Sequence, residues 1–349
     1  VKLSPARLDP VFQPRIWGTR SLGPLFPEMT ALDPPIGEVW LTGNDCRFAS
    51  GPFAGRKLGE AWREMPPEWT GTRLPNDAIF PLLVKFIFPE DKLSVQVHPD
   101  DEYARGHESA AGGQGKTEMW YVVAARPGAE VMVGLKPSVT PDSFRRAIVN
   151  VTVEECLERV PVSAGDVIFV PAGTAHTIGP GMVLCEIQEH SDITYRVFDY
   201  NRVSPEGKPR PLHIEQALAV INFGEQCGGR LEPVRITRGP VKETYYIACR
   251  YFATEKWEFA ERIAAVTRPE QFDLLIVLAG RGSLVSADAL AEYAPAQVWL
   301  LPAALGAYQF VPEAPTTLLR TYVPDVNDFV RRLADQRVEE AAWSRLVYP

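Results

Sequence analysis

The sequence predicts a mainly β protein, built of antiparallel sheets with a few inserted helices. Three observations lead there. The 26 glycines and 32 prolines punctuate short stretches rich in Val, Ile, Phe, Trp and Tyr. Residues 93–98, LSVQVH, alternate strictly between apolar and polar side chains. Residues 165–176, GDVIFVPAGTAH, place a strand-like run before a Pro and Gly turn that returns on a histidine. A chain of 349 residues exceeds what one ordinary core needs, so two units or one large fused β unit are expected.

In chain order, strands are expected over 80–88, 93–97, 119–125, 130–134, 166–170, 182–188 and 194–198. The spacing predicts a helix from Pro141 through FRRAIVN, with Thr140 as N-cap. A second helix is expected after Thr152, over VEECLERV. A third, over 213–223, carries Ile214, Ala217, Leu218 and Ile221 at helical spacing. The glycine-rich GEQCGGR that follows is the expected boundary, giving units 1–227 and 228–349. Beyond it, strands are expected over 245–252, 274–278, 282–286 and 298–301, with a closing helix over 326–346.

Composition narrows the function. Hydrophobic residues make up 46% and charged ones 23%, which excludes a wholly disordered chain. The net charge of −8 argues against nucleic-acid binding, which rests on clustered cations. Any anionic ligand therefore needs a local basic pocket. The most apolar run, 274–279, is strand-sized, so no membrane helix is expected. The opening VKLSPARLDP does not resemble a signal peptide, and a cytoplasmic location is the expectation. Cys46, Cys156, Cys185, Cys227 and Cys249 form no C-x-x-C pair and read as reduced core thiols.

Two of the five histidines stand out. Ser94, Gln96 and His98 share one face of the 93–98 strand, and three polar groups in line need water, a ligand or a metal; a solvent-facing edge strand is the plainer reading. His176 closes G-x5-P-x-G-x2-H, a motif of the cupin β-barrels that aims an imidazole into the barrel. Two acids compete to complete such a site. Glu102 lies in PDDEYAR, a proline-opened helix start where acids favour the positive helix end. Glu118 enters the β-forming run GKTEMWYVV and can point inward, so Glu118 is preferred.

The chain resembles type I mannose-6-phosphate isomerases, particularly the short bacterial form. The resemblance is carried by IWG at 16–18, IGEVW at 36–40, LSVQVHPDD at 93–101, GKTEMWYVV around Lys116, PAGTAHTIGPG, and EIQEHSDITYRVFDYNR at 186–202. It implies a bicupin, one zinc per chain held by Gln96, His98, Glu118 and His176, and a sugar-phosphate substrate. Gln96 could instead hydrogen-bond the substrate. The resemblance also implies catalytic roles for Arg196, Glu186 and Lys116. Isomerisation through an enediolate needs a base near C1 and C2 and positive charge on the oxyanion. Either Glu186 or a zinc-bound water could move the protons. Ser94, Arg202 and Lys136 are candidates for the phosphate, with a surface ion pair as the alternative for Arg202. Trp17 and Trp40 read as packing residues.

The second β unit repeats a strand, Pro302 and Gly306, but has Ala307 where the first has His176, which reads as a metal-free copy. The expected activity is interconversion of mannose 6-phosphate and fructose 6-phosphate. The alternatives are a zinc cupin isomerase of another sugar phosphate and a non-catalytic sugar-phosphate sensor. The oligomeric state is not readable from the sequence.

Overall fold

A computed structural model describes residues 1–75, 79–203, 207–224 and 228–348. The fold is mainly β, and the strand pairings are antiparallel. The chain divides into two units: Phe12–Val39 with Leu83–Arg230, and Val1–Val11 with Trp40–Leu82 and Leu231–Pro349. Among the described residues no helix is long and apolar enough to cross a membrane.

The first unit holds a seven-stranded and a five-stranded sheet. The seven run in the order Gly229–Arg230, Val167–Val170, Glu118–Ala125, Met182–Glu189, Leu82–Ile87, Ile36–Trp40 and Val11–Thr19. The five run Tyr195–Phe198, Val95–Val97, His176–Ile178, Glu130–Leu135 and Leu157–Pro161. One core joins Trp120, Ile168 and Leu184 of the larger sheet to Val131, Val133 and Ile178 of the smaller. A second core lies on the other face of the five-stranded sheet. There Val95, Val97 and Met132 pack with Phe144 and Ile148 of the helix Pro141–Val149 and Ala217 of the helix Ile214–Val220. Because side chains alternate along a strand, burying Val95 and Val97 against the helices turns Ser94, Gln96 and His98 toward the other sheet.

Several elements follow the sequence closely. Thr140 caps its helix as expected, in a reciprocal box with Ser143. Asp101–His107 is a helix capped by Asp100, as PDDEYAR suggests. The helix expected after Thr152 does not form. A single 3-10 turn, Val153–Cys156, leads into the strand Leu157–Pro161, and Thr152 makes no side-chain cap. Pairing with Glu130–Leu135 satisfies that backbone, which outweighs weak helix propensity. The closing helix is also shorter than expected. It runs Val326–Asp335, Arg337 takes a left-handed φ of 62°, and a short turn of helix resumes at Glu340–Trp343.

In the second unit an eight-stranded sheet faces a four-stranded one, with Trp257, Leu275 and Leu318 packed on Leu284, Tyr308 and Phe310. N-terminal segments belong here because Ala6–Asp9 pairs with Val298–Leu301 and with Arg47–Phe48. The rings of Trp62 and Phe80 also meet Phe272. Residues 225–227 of the expected boundary, with Cys227, lie outside the described residues. Cys46, Cys156, Cys185 and Cys249 are free thiols.

Candidate functional site

His98, Glu118 and His176 converge in the first unit. One ligand atom from each lies within 4.8 Å of the others, and all three residues are buried. Three backbone features bring them together. His98 follows the strand Val95–Val97, His176 opens a strand whose register sets it opposite Gln96, and Glu118 opens the strand paired to Val170 and Gln188. Gly173 makes the turn before His176 with a φ of 80°, and a Cβ there would lie 2.9 Å from the Val220 carbonyl oxygen. The turn therefore requires glycine.

The imidazoles are aimed by their outer nitrogens. His98 Nδ1 lies 2.8 Å from the Ile193 carbonyl and His176 Nδ1 2.8 Å from that of Thr174. Donation to those carbonyls places the Nε2 lone pairs at the cluster centre. Burial pushes His176 down to about 4, and burial, Lys116 and His176 hold His98 well below its ordinary range. Both rings are thus neutral, the state that binds a metal. His98 Nε2 and Glu118 Oε1 are buried without a hydrogen-bond partner, while Glu118 Oε2 has Lys116 Nζ at 2.8 Å. Orphaned polar atoms at one point are costly in a core, and a divalent cation would satisfy both.

Gln96 and Ser94 complete this side. The Gln96 amide nitrogen is 3.3 Å from His176 Nε2, and its oxygen accepts from Ser94 Oγ at 3.1 Å. Turning the amide over would present oxygen to the cluster. Glu102 is exposed on its helix and takes no part in the cluster.

Beside the cluster opens a cavity of about 420 Å³. Five cations (Arg15, Lys85, Lys116, Arg196, Arg210) and three carboxylates (Glu38, Glu186, Asp192) line it, a surplus that suits an anionic ligand. Lys116 Nζ is 2.8 Å from Glu118 and 3.7 Å from Glu186, and Lys85 Nζ is 3.4 Å from Glu186 and from Asp192. Burial works against the Lys116 charge, but Glu118 and Glu186 outweigh it and hold its pKa above the ordinary lysine value. Burial, with Glu118 adding, raises the Glu186 carboxyl above its usual range, and Trp120 Nε1 donates to it at 3.1 Å. Arg196 pairs in register with Gln96. Its Nη1 donates to the Pro211 carbonyl at 3.0 Å, while its Nε is buried without a partner.

No protein-family model matches the chain. The chain is 35% identical to the probable mannose-6-phosphate isomerase GmuF of Bacillus subtilis over 308 residues, covering 87% of this chain and 95% of the relative. It is 32% identical to the mannose-6-phosphate isomerase of Streptococcus mutans, covering 88% and 95%. The chain belongs to the mannose-6-phosphate isomerase family. A solved mannose 6-phosphate isomerase from Bacillus subtilis superposes with a TM-score of 0.83 at 29% identity, covering 91% of this chain and 99% of that one. A zinc-bound mannose 6-phosphate isomerase shares the fold at a TM-score of 0.69 and 16% identity, covering 92% and 99%.

Two of the candidates for the phosphate do not line the cavity. Lys136 is exposed at the end of the strand Glu130–Leu135 and does not line it. Arg202 turns away, bound to Asp199 at 2.6 Å and Asp91 at 3.2 Å. Arg210 takes the inward place from the same Asp199, at 2.7 Å through Nε. Trp17 belongs to the core and also lines the cavity. Sequence reading missed Lys85, Asp192 and Arg210. Lys85 had a signal: it is the lone charge in the buried strand LLVKFI, and a buried charge needs partners. Arg210 and Asp192 sit in polar segments with no comparable local mark.

Proposed function

We propose that the chain is a zinc-dependent aldose–ketose isomerase that interconverts mannose 6-phosphate and fructose 6-phosphate. The supporting observation is the convergence of His98, Glu118 and His176 ligand atoms within 4.8 Å, with His98 Nε2 and Glu118 Oε1 unpartnered, beside a cavity rich in cations. Mixed nitrogen and oxygen donors suit a catalytic zinc, one per chain, with Gln96 as the fourth protein donor. Bound there, zinc would polarise the sugar oxygens at C1 and C2.

The chain's own residues supply the rest. Lys116 and Arg196 carry fixed positive charge for the enediolate oxygens. Glu186, with its raised pKa, takes the C2 proton of the open-chain aldose and returns it to C1, while a proton passes from O2 to O1. Lys85 and Trp120 hold that carboxylate in place. Ser94, Arg15 and Arg210 are the cavity groups available to the phosphate.

This reading takes each unit as a cupin-type barrel made of its two facing sheets, with catalysis confined to the residues before 228 and a cytoplasmic location. A coupled assay tests it. Zinc-loaded protein should convert mannose 6-phosphate to ketose, leave glucose 6-phosphate untouched, and exchange the C2 proton with solvent. Binding of the sugar phosphate with neither exchange nor ketose would replace the isomerase with a sensor.

A further inference from the structure

The second unit contains its own cavity, of about 500 Å³, a volume typical of small-molecule sites. Five arginines line it: Arg238, Arg262, Arg268, Arg320 and Arg332. Their carboxylate partners are fewer. Glu243 pairs with Arg238, and Glu255 and Asp273 pair with the buried Arg320 at 2.6 and 2.9 Å. Among the described residues no carboxylate lies within ion-pair distance of Arg262, Arg268 or Arg332. Five cations against three acids leave a surplus of two.

Two of these cations, Arg268 and Arg332, are held without an ion-pair partner among the described residues, while Arg320 keeps its two carboxylates. The guanidiniums of Arg268, Arg320 and Arg332 stand 5.3, 4.8 and 5.7 Å from the Tyr322 ring centroid, where the π face fixes them but leaves their charge in place. Arg268 Nη2, Arg320 Nε, Arg332 Nε and Trp257 Nε1 are buried without hydrogen-bond partners. Arg320 is 6% exposed and Trp257 4%. Four orphaned N–H donors around one cavity carry a desolvation cost that a bound oxyanion would relieve.

We infer that this pocket binds a small phosphorylated metabolite, with its phosphate among Arg268, Arg320 and Arg332. Those three come from a loop, the strand Thr316–Tyr322 and the helix Val326–Asp335, so they approach from separate directions. That arrangement fits a tetrahedral oxyanion better than a planar carboxylate, which one guanidinium fork satisfies. The cavity exceeds a bare phosphate. Val241, Ile263 and Trp257 form an apolar wall for an organic group attached to it.

Isothermal titration of zinc-loaded full-length protein in phosphate-free buffer tests this, with phenyl phosphate, inorganic phosphate and benzoate as probes. Phenyl phosphate should bind the Arg196→Ala variant, whose first cavity is altered, and bind more tightly than inorganic phosphate or benzoate. Its affinity should fall by about tenfold or more in Arg268→Gln, with turnover of mannose 6-phosphate unchanged. The exposed Arg262→Gln keeps the test alive if Arg268→Gln folds poorly, and should weaken binding in the same direction. Binding lost in Arg196→Ala but kept in Arg262→Gln and Arg268→Gln would overturn the site. Absence of binding at millimolar phenyl phosphate would do the same, and tighter binding of benzoate would overturn the phosphate assignment.

Discussion

His98, Glu118 and His176 in one unit and Glu255, Asp273 and Arg320 in the other are both buried polar clusters on the inner faces of paired sheets, yet they meet burial in opposite ways. Glu118 shares its strand face with Trp120, and Glu255 shares its face with Trp257. In the second unit the arginine reaches both carboxylates, at 2.6 and 2.9 Å, so the acids carry their own counter-cation. In the first, two neutral imidazoles and one carboxylate point at a common centre, and His98 Nε2 and Glu118 Oε1 are left without a hydrogen-bond partner. Each unit also carries a positive-φ glycine here: Gly173 with φ 80° three residues before His176, and Gly306 with φ 79° directly before Ala307. One architecture thus presents a divergent set that holds itself together and a convergent set that awaits an ion. The chemistry of the donors, not the fold, separates them.

The largest effects should come from breaking each cluster. Glu118→Gln removes the only anionic donor of the convergent set, and turnover and zinc content should both fall, turnover by roughly 100-fold or more. Arg320→Met leaves two buried acids without their cation and should cost about 3–5 kcal/mol of stability by denaturant titration. Zinc content per folded molecule should stay at that of wild type. Next comes Arg196→Ala, which removes a cavity cation but no donor of the cluster. Its turnover should drop roughly 100-fold while bound zinc and melting temperature stay close to wild type. A stability loss with unchanged turnover would mark Arg196 as structural.

A pH series sharpens the comparison further. An unfolded histidine takes up its proton near 6.5, whereas folded His176 does so only at about 4, and His98 is depressed in the same direction. The folded state therefore binds fewer protons in that window, and metal-free protein should lose stability as pH falls from about 6.5 to 4. The loss should be on the order of 3 kcal/mol for His176 alone. Loading zinc should steepen this fall, because protons compete for the same nitrogens. The smallest effect lies far from either cluster: Thr140→Ala removes a helix cap and should cost about 1 kcal/mol with no change in turnover.

How much of this was legible in the sequence depends on whether the signal was local. Alternation in LSVQVH placed Val95 and Val97 on one face and Gln96 and His98 on the other, and the Pro-Gly turn marked His176. Glu118 was separable from Glu102 because one entered a β-forming run and the other a helix start. Long-range pairing was not legible. Leu157–Pro161 carries helix-like composition, and only its partner strand makes it β. The N-terminal strand Ala6–Asp9 pairs with Val298–Leu301, almost 300 residues later. Arg202 and Arg210 both lie in polar sequence, and nothing local shows which of them faces inward from Asp199.

The central claim is that the convergent cluster, and not its counterpart, holds the metal. Anomalous diffraction at the zinc edge, on crystals of active zinc-loaded protein, tests it directly. The account predicts a single strong peak bounded by His98 Nε2, His176 Nε2 and Glu118, absent from Glu118→Gln crystals. A peak at Glu255 and Asp273, or no peak between the two histidines in protein of full activity, would contradict it.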